Sequence, residues 1–262
     1  MMKIVAGLEY YNEKILDGLL MRPDITGIVL GDLFCNRKMF DGGSCELLDM
    51  INKVGKSEKT LYLQTPVYLT DNLFLELKDL LGFVDKNYPG SVISTQDYGV
   101  VSYVGRECKS LSVMWNQFGR SRENYHNRFF FDFLKEMGVQ FIESDDENTI
   151  QQAISSGLNV NAIHGKYSYV TFGRKCYLCY ELHRSPENCK RLCRSKSFEL
   201  IKADSDLRLS IDGYLLGTKH VYKDNPLALI KRYSINTMML YAENIEALLD
   251  KIDNIQSLLQ FS

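Results

Sequence analysis

Val139-Gln140-Phe141-Ile142-Glu143, then Asn148 to Ser156 ending at Gly157, then Val160-Asn161-Ala162-Ile163-His164, is the stretch that decides the fold. Two short apolar, β-branched runs flank a helix-length amphipathic segment. Asn148 is a good N-cap and Gly157 a good helix stop, so the stretch reads strand, helix, strand. A helix returning the chain between two such strands makes them parallel.

The same rhythm extends in both directions. Strands are expected near Lys3 to Gly7, Gly27 to Leu30, Thr60 to Gln64, Ser91 to Thr95, Leu111 to Met114, Val139 to Glu143, Val160 to His164 and Asn236 to Tyr241. Helices are expected at Asn12 to Met21, Glu46 to Val54, Asp71 to Leu81, Asp97 to Val104, Asn127 to Met137 and Asn148 to Ser156. Asp71 reads as an N-cap, and Gly55, Gly82 and Gly138 as stops. The segment Glu243 to Phe261 sets Ile245, Leu248, Leu249, Ile252, Ile255 and Leu259 on one stripe, a helix for the barrel wall. Eight strands with intervening helices predict an α/β fold of (β/α)8 TIM-barrel type. The segment from Arg174 to Pro226 breaks the rhythm and reads as a cysteine-rich excursion in place of the seventh unit. Within it, Asp212-Gly213 signals a β-hairpin between Leu207 to Ile211 and Tyr214 to Val221. No linker divides the chain, so residues 1–262 read as one domain.

Composition agrees. The chain has 262 residues, 45% of them hydrophobic and 11% aromatic, enough for a substantial core without covalent staples. No apolar run approaches the roughly 20 residues that span a bilayer. With seven cysteines and no signal segment at the start, a reducing, cytoplasmic setting is expected, where clustered cysteines bind metal more often than they form disulfides. A net charge of −2 supplies no overall attraction to nucleic acid. Arg174, Lys175, Arg184, Lys190, Arg191, Arg194 and Lys196 nevertheless crowd the cysteine segment. They read as a solvated loop or as cations balancing thiolates, with an RNA or anionic ligand as the alternative.

Cys176, Cys189 and Cys193 are separated by twelve and three residues, and Cys35 stands far upstream. In a barrel, Cys35 lies just beyond strand two and Cys176 just beyond strand seven, so both reach the C-terminal rim. Four thiolates suit an iron-sulfur cluster or structural zinc, and spacing alone leaves both open. Cys179, in Cys176-Tyr177-Leu178-Cys179, is an alternative ligand or half of a redox pair. Cys45 and Cys108 read as packed small apolar residues. Asp32, Glu143 and His164 are the rim residues available for acid–base chemistry, His164 being the best general base by its ordinary pKa and otherwise a hydrogen-bonded structural residue. Phe129-Phe130-Phe131 with Phe133 read as core. Trp115 reads as lining the barrel mouth or packing beneath it, and Asp145, Asp146 and Glu147 as a solvated turn capping a helix.

Several of these residues stand in a familiar order. Ala162-Ile163-His164-Gly165 followed by Gly173-Arg174-Lys175-Cys176 resembles the His-Gly and Gly-Arg-Cys of the collagenase-like peptidase family U-32, with one inserted residue. Gln96-Asp97-Tyr98-Gly99-Val100 is similar to the family's turn after strand four, Asn116-Gln117 and Asn124 to its pattern after strand five, and Glu143 to the glutamate closing strand six. Leu30-Gly31-Asp32-Leu33-Phe34-Cys35 and the later cysteines resemble the UbiV-like branch, which supports oxygen-independent hydroxylation in ubiquinone biosynthesis. Other branches carry a cysteine where this chain has Ser168. The resemblance implies a 4Fe-4S cluster on Cys35, Cys176, Cys189 and Cys193, and a homologous U-32-family chain as heteromeric partner, with a small-molecule substrate. Val160 stands in place of a family glutamate, and Met238-Met239-Leu240-Tyr241 where many members carry Lys-Ile-Glu-Gly-Arg. Those departures weaken a peptidase role and leave hydrolysis, or hydroxylation of RNA, as alternatives.

Overall fold

The structure, a computed structural model, describes residues 2–8, 13–32, 35, 44–67, 69–116, 127–164, 167–172, 176–182, 198–201, 208–212, 215–219, 226–242 and 244–260. Eight parallel strands close into a barrel: β1 (Lys3–Leu8), β2 (Ile25–Gly31), β3 (Thr60–Gln64), β4 (Val92–Thr95), β5 (Ser112–Asn116), β6 (Val139–Ser144), β7 (Asn159–His164) and β12 (Thr237–Ala242). β1 closes the ring by pairing with β2 on one side and β12 on the other. All eight are the strands expected from periodicity.

Strand alternation separates two apolar layers. Ile28 and Leu30, Leu61 and Leu63, Val113 and Trp115 face outward into the core beneath the helices. Val5, Val29, Tyr62, Val92, Met114 and Met239 fill the barrel itself, with Phe141 and Tyr241 packed against them. The helices are α1 (Glu13–Leu20), α2 (Ser44–Gly55), α3 (Asp71–Asn87), α4 (Tyr98–Glu107), α5 (Arg128–Glu136) and α6 (Glu147–Ser155). Last comes α9 (Ile245–Gln260), whose Leu248, Ile252 and Ile255 are buried in the outer core as the stripe requires.

Between β7 and β12 the chain does more than form a hairpin. β8 (Tyr167–Phe172), the short helix α7 (Tyr177–Glu181), β9 (Phe198–Ile201), β10 (Arg208–Asp212) and β11 (Leu215–Lys219) come first, followed by α8 (Pro226–Tyr233). The four strands form an antiparallel sheet in the order β8-β11-β10-β9. The β10–β11 hairpin is present, but Asp212 pairs with Leu215, so the connection is Gly213-Tyr214, one residue later than expected. The seventh unit is interrupted, not replaced. α8 packs on β7, and Arg232 and Tyr233 on α8 both bond the Glu147 carboxylate on α6, with Tyr233 donating at 2.9 Å.

Several helix boundaries differ from expectation because caps are chosen by backbone geometry. Thr70, not Asp71, caps α3, its hydroxyl accepting from the Leu73 N–H, and Asp146, not Asn148, caps α6. Gly82 lies inside α3, which runs on to Asn87. Its place would leave an added Cβ in open space, so no backbone turn is required there. Gly138 and Gly157 do end their helices, with φ of 100° and 74°, the left-handed conformation glycine tolerates. Asp145 and Asp146 are buried, contrary to the expected solvated turn. The Asp146 carboxylate accepts from the Thr149 N–H at 2.9 Å and the Thr149 hydroxyl at 2.8 Å, which offsets its burial. The phenylalanine run is only partly core. Phe131 is buried and Phe130 partly so, whereas Phe129 is 83% exposed and Phe133 half-exposed. At about 100° per residue, adjacent helical positions cannot share one buried face. Trp115 packs in the outer core against Tyr98 and Phe130, not at the barrel mouth. Cys108 is buried, as expected, and the Cys45 side chain lies outside the described residues.

Candidate functional site at the centre and rim of the barrel

The inward face of each strand continues from the apolar filling into polar side chains toward the C-terminal end, where barrel enzymes build their sites. Two residues beyond Tyr62, Val92, Met114 and Phe141 come Gln64, Ser94, Asn116 and Glu143, all buried. Register sets Gln64 beside Ser94, and Glu143 between Asn116 and Asn161. The Asn116 amide donates to the Ser94 hydroxyl at 2.9 Å, and the Asn161 amide to the Met114 sulfur at 3.2 Å. Tyr241 enters from β12, its ring lying where a Cβ on Gly7 would stand, at 2.6 Å. Glycine at position 7 is what lets that ring cross the barrel.

Glu143 is 1% exposed, its carboxyl enclosed in the barrel. Burial pushes its pKa up to about 8; hydrogen bonding from the Tyr241 hydroxyl works against the rise, and the Asp145 charge adds to it. Tyr62 is pushed up to about 12, first by burial and then by the Glu143 charge. At neutral pH the barrel interior therefore holds both a protonated carboxyl and a protonated phenol. Such a carboxyl can donate a proton or a hydrogen bond, or surrender its proton to bind a cation.

The other expected site residues distribute unequally. Gly31 has φ of 98°, and a Cβ there would lie 2.2 Å from the Gln64 carbonyl oxygen, so the end of β2 requires glycine. Asp32 then accepts the Cys35 N–H on Oδ1 at 2.8 Å. The turn leaves Cys35 buried just past β2, at the C-terminal rim. Asp32 is thus a turn-building residue. His164 closes β7 on the alternation of Val160 and Ala162, the outward face, and pairs in register with outward Leu240. It does not share a face with Glu143, and the acid–base pairing expected from sequence is not assembled. Glu143 alone of the three reaches the barrel centre. Asp97, in the turn after strand four, caps α4 by accepting from the Val100 N–H at 3.0 Å.

Cys176 and Cys179 are both buried, flank the start of α7, and pack with Leu178 and Ile211 against the small sheet. Cys189, Cys193, Asn124 and the basic cluster lie outside the described residues. Among the described residues no group of three or more His, Cys, Asp or Glu side chains is placed to hold a metal ion. Cys35 and Cys176 are free thiols rather than disulfide partners, and as donors they fit a thiolate-bound metal or cluster. Sequence reasoning missed the inward ring of Gln64, Ser94, Asn161, Tyr62 and Tyr241. The usable signal was the polar residue two positions after an apolar one at the end of each strand.

No helix among the described residues is long and apolar enough to cross a membrane. No protein-family model and no curated protein matches the sequence. Among solved structures, the U32 peptidase Mk0906 is similar at a TM-score of 0.52 and 10% identity, over 94% of each chain. A putative glycerophosphoryl diester phosphodiesterase from Agrobacterium tumefaciens is similar at 0.51 and 6% identity, over 98% of this chain and 99% of the other. At such identities the shared feature is the (β/α)8 barrel over nearly the whole chain, a fold that hosts many chemistries.

Proposed function

We propose that this chain is an iron-sulfur protein of the U32 peptidase-like type, with Cys35, Cys176, Cys189 and Cys193 as the ligands of a 4Fe-4S cluster. In this reading it is one subunit of a heteromeric complex for oxygen-independent hydroxylation, with a homologous chain as partner. The observation that carries the reading is the turn at the end of β2. A glycine that no other residue can replace, followed by a carboxylate that holds the Cys35 N–H, sets a buried thiol on the barrel rim. That local construction accounts physically for the Leu30-Gly31-Asp32-Leu33-Phe34-Cys35 motif on which the family resemblance rests. Similarity to a U32 peptidase over 94% of both chains supports it. Such a cluster supplies one-electron transfer. Toward it the chain contributes burial around Cys35 and Cys176, and a neutral acid at Glu143 for proton movement.

Purification without oxygen, followed by iron and acid-labile sulfide assay, tests the proposal. About four of each per chain are expected. Cys35→Ser and Cys176→Ser are expected to lose most of the iron, and Cys179→Ser to keep it. Stoichiometric zinc without sulfide would replace the cluster by a structural metal, and iron retained in Cys35→Ser would remove the shared site altogether.

Acid–base hydrolysis is the second reading, and Glu143 is the observation that favours it: a carboxyl held protonated near neutrality in the barrel centre is a competent general acid. The outward face of His164 leaves it without the general base that a peptidase reading had assigned.

A further inference from the structure

A four-thiolate site on Cys35, Cys176, Cys189 and Cys193 leaves Cys179 without a part, although it stands three residues after Cys176. Cys176 immediately precedes α7 in extended conformation, with φ of −61° and ψ of 119°, and its carbonyl accepts the Tyr180 N–H at 3.0 Å, the bond that opens the helix. Cys179 therefore lies in the first turn, on the same face as Cys176. Three helical steps separate Cα atoms by about 5 Å, within the roughly 4.4–6.8 Å that a disulfide spans. Cβ atoms about 5–6 Å apart on such a face must come to about 3.5–4.5 Å for the bond. Cys176 is only half in the helix, so a turn of its own backbone supplies that approach while α7 stays wound.

Both thiols pack with Leu178 and Ile211 in a cluster of four buried side chains, separate from the two barrel cores. α7 has five residues, and Tyr180 beside the pair is 68% exposed. So short a helix on so small a cluster opens at a fraction of the global unfolding free energy, and its thiols then meet a soluble reagent while the barrel stays folded. Cys108 sits instead in the outer barrel core.

We propose that Cys176 and Cys179 form a reversible dithiol–disulfide pair that exchanges with low-molecular-weight disulfides of the glutathione class. One protein thiolate attacks a sulfur of oxidised glutathione, breaking its S–S bond and releasing one glutathione thiol. The second protein thiolate then attacks the protein sulfur of the mixed disulfide and releases the other. The chain loses two hydrogens with their electrons, which leave on two molecules of reduced glutathione. On the ligand set proposed above, the closed pair withdraws Cys176 from the cluster, so disulfide and cluster exclude each other and iron loading follows the thiol–disulfide balance. The pair itself does not depend on that ligand set.

Trypsin cuts after Lys175 and Arg184, so both thiols fall in one peptide, Cys176 to Arg184, that contains no further cysteine. The metal-free full chain is incubated with oxidised and reduced glutathione at a series of ratios, its accessible thiols are alkylated while it is folded, and the peptide is read by mass spectrometry. The expected peptide is unalkylated and lacks two hydrogens, its fraction falls as reduced glutathione rises, dithiothreitol returns it to the doubly alkylated form, and Cys108 stays unreactive throughout. Cys179→Ser is expected to hold glutathione on Cys176, since no second thiol displaces it. Two alkyl groups at every ratio, two bound glutathiones, a link from this peptide to Cys35, Cys189 or Cys193, or closure only in chains whose Cys108 has also reacted would each overturn the proposal. The same titration without oxygen on the iron-loaded chain reads the mutual exclusion: the cluster should keep the pair open at ratios that close it in the metal-free chain. Equal closure with the iron retained would overturn the exclusion and remove Cys176 from the ligands while the pair stands, so either reading can fail without the other.

Discussion

Replacing Glu143 by Gln keeps the side-chain shape and removes its titration, so the pair of proteins isolates what the buried carboxyl costs. In the unfolded chain the carboxyl ionises around 4.5, and in the fold around 8. Below about pH 4.5 it is protonated in both states and ionisation contributes nothing. As pH rises, the unfolded chain releases the proton first while the fold retains it, so stability falls until the folded value is passed. From 4.5 to about 8, at about 1.4 kcal/mol per pH unit, the loss comes to roughly 5 kcal/mol as an upper figure. Urea unfolding of both proteins from about pH 5 to pH 9 reads it directly. The natural chain should lose stability relative to Glu143→Gln across that window, and the variant should be the more stable of the two by several kcal/mol at the alkaline end. A difference constant to within about 0.5 kcal/mol over the whole range would refute the buried carboxyl that keeps its proton and with it the chemistry assigned to the barrel centre.

Gly31→Ala places a Cβ 2.2 Å from the Gln64 carbonyl oxygen at a backbone φ of 98°. A destabilisation of about 2–4 kcal/mol is expected in urea, together with faster alkylation of Cys35 as its turn is displaced. Asp146→Ala removes the acceptor of two Thr149 donors at the start of α6. It should cost about 1–2 kcal/mol, read as a lower unfolding midpoint with unchanged slope, and an unaltered midpoint would mean that another group caps the helix.

The barrel was legible because its evidence is local. Each strand is a short run whose alternating side chains meet an apolar layer on both sides, and each helix shows its buried stripe within a few turns. Val139 to His164 carries the whole logic in one unit, and the eight strand positions follow from its repetition. Where only the local backbone distinguishes neighbouring candidates, the reading slipped by one or two residues, as at Thr70 against Asp71 and Asp146 against Asn148. The antiparallel sheet was read as a hairpin, since β8 finds its partner β11 far along the chain and β9 adds to the hairpin on its other edge.

The site divides along the same line. Cys35 was found in sequence because Leu30 to Cys35 is a contiguous motif, and the tight approach of Gly31 to Gln64 supplies its physical cause. Glu143 was found as one weak candidate among three. That it faces inward while His164 faces outward depends on strand parity around a closed ring. Chain order carries residue identity and period, and those suffice for a repeating architecture. Desolvation, register and the sign of neighbouring charges arise only when β3, β5, β7 and β12 surround one carboxyl, and they turn an ordinary glutamate into an acid that keeps its proton at neutral pH.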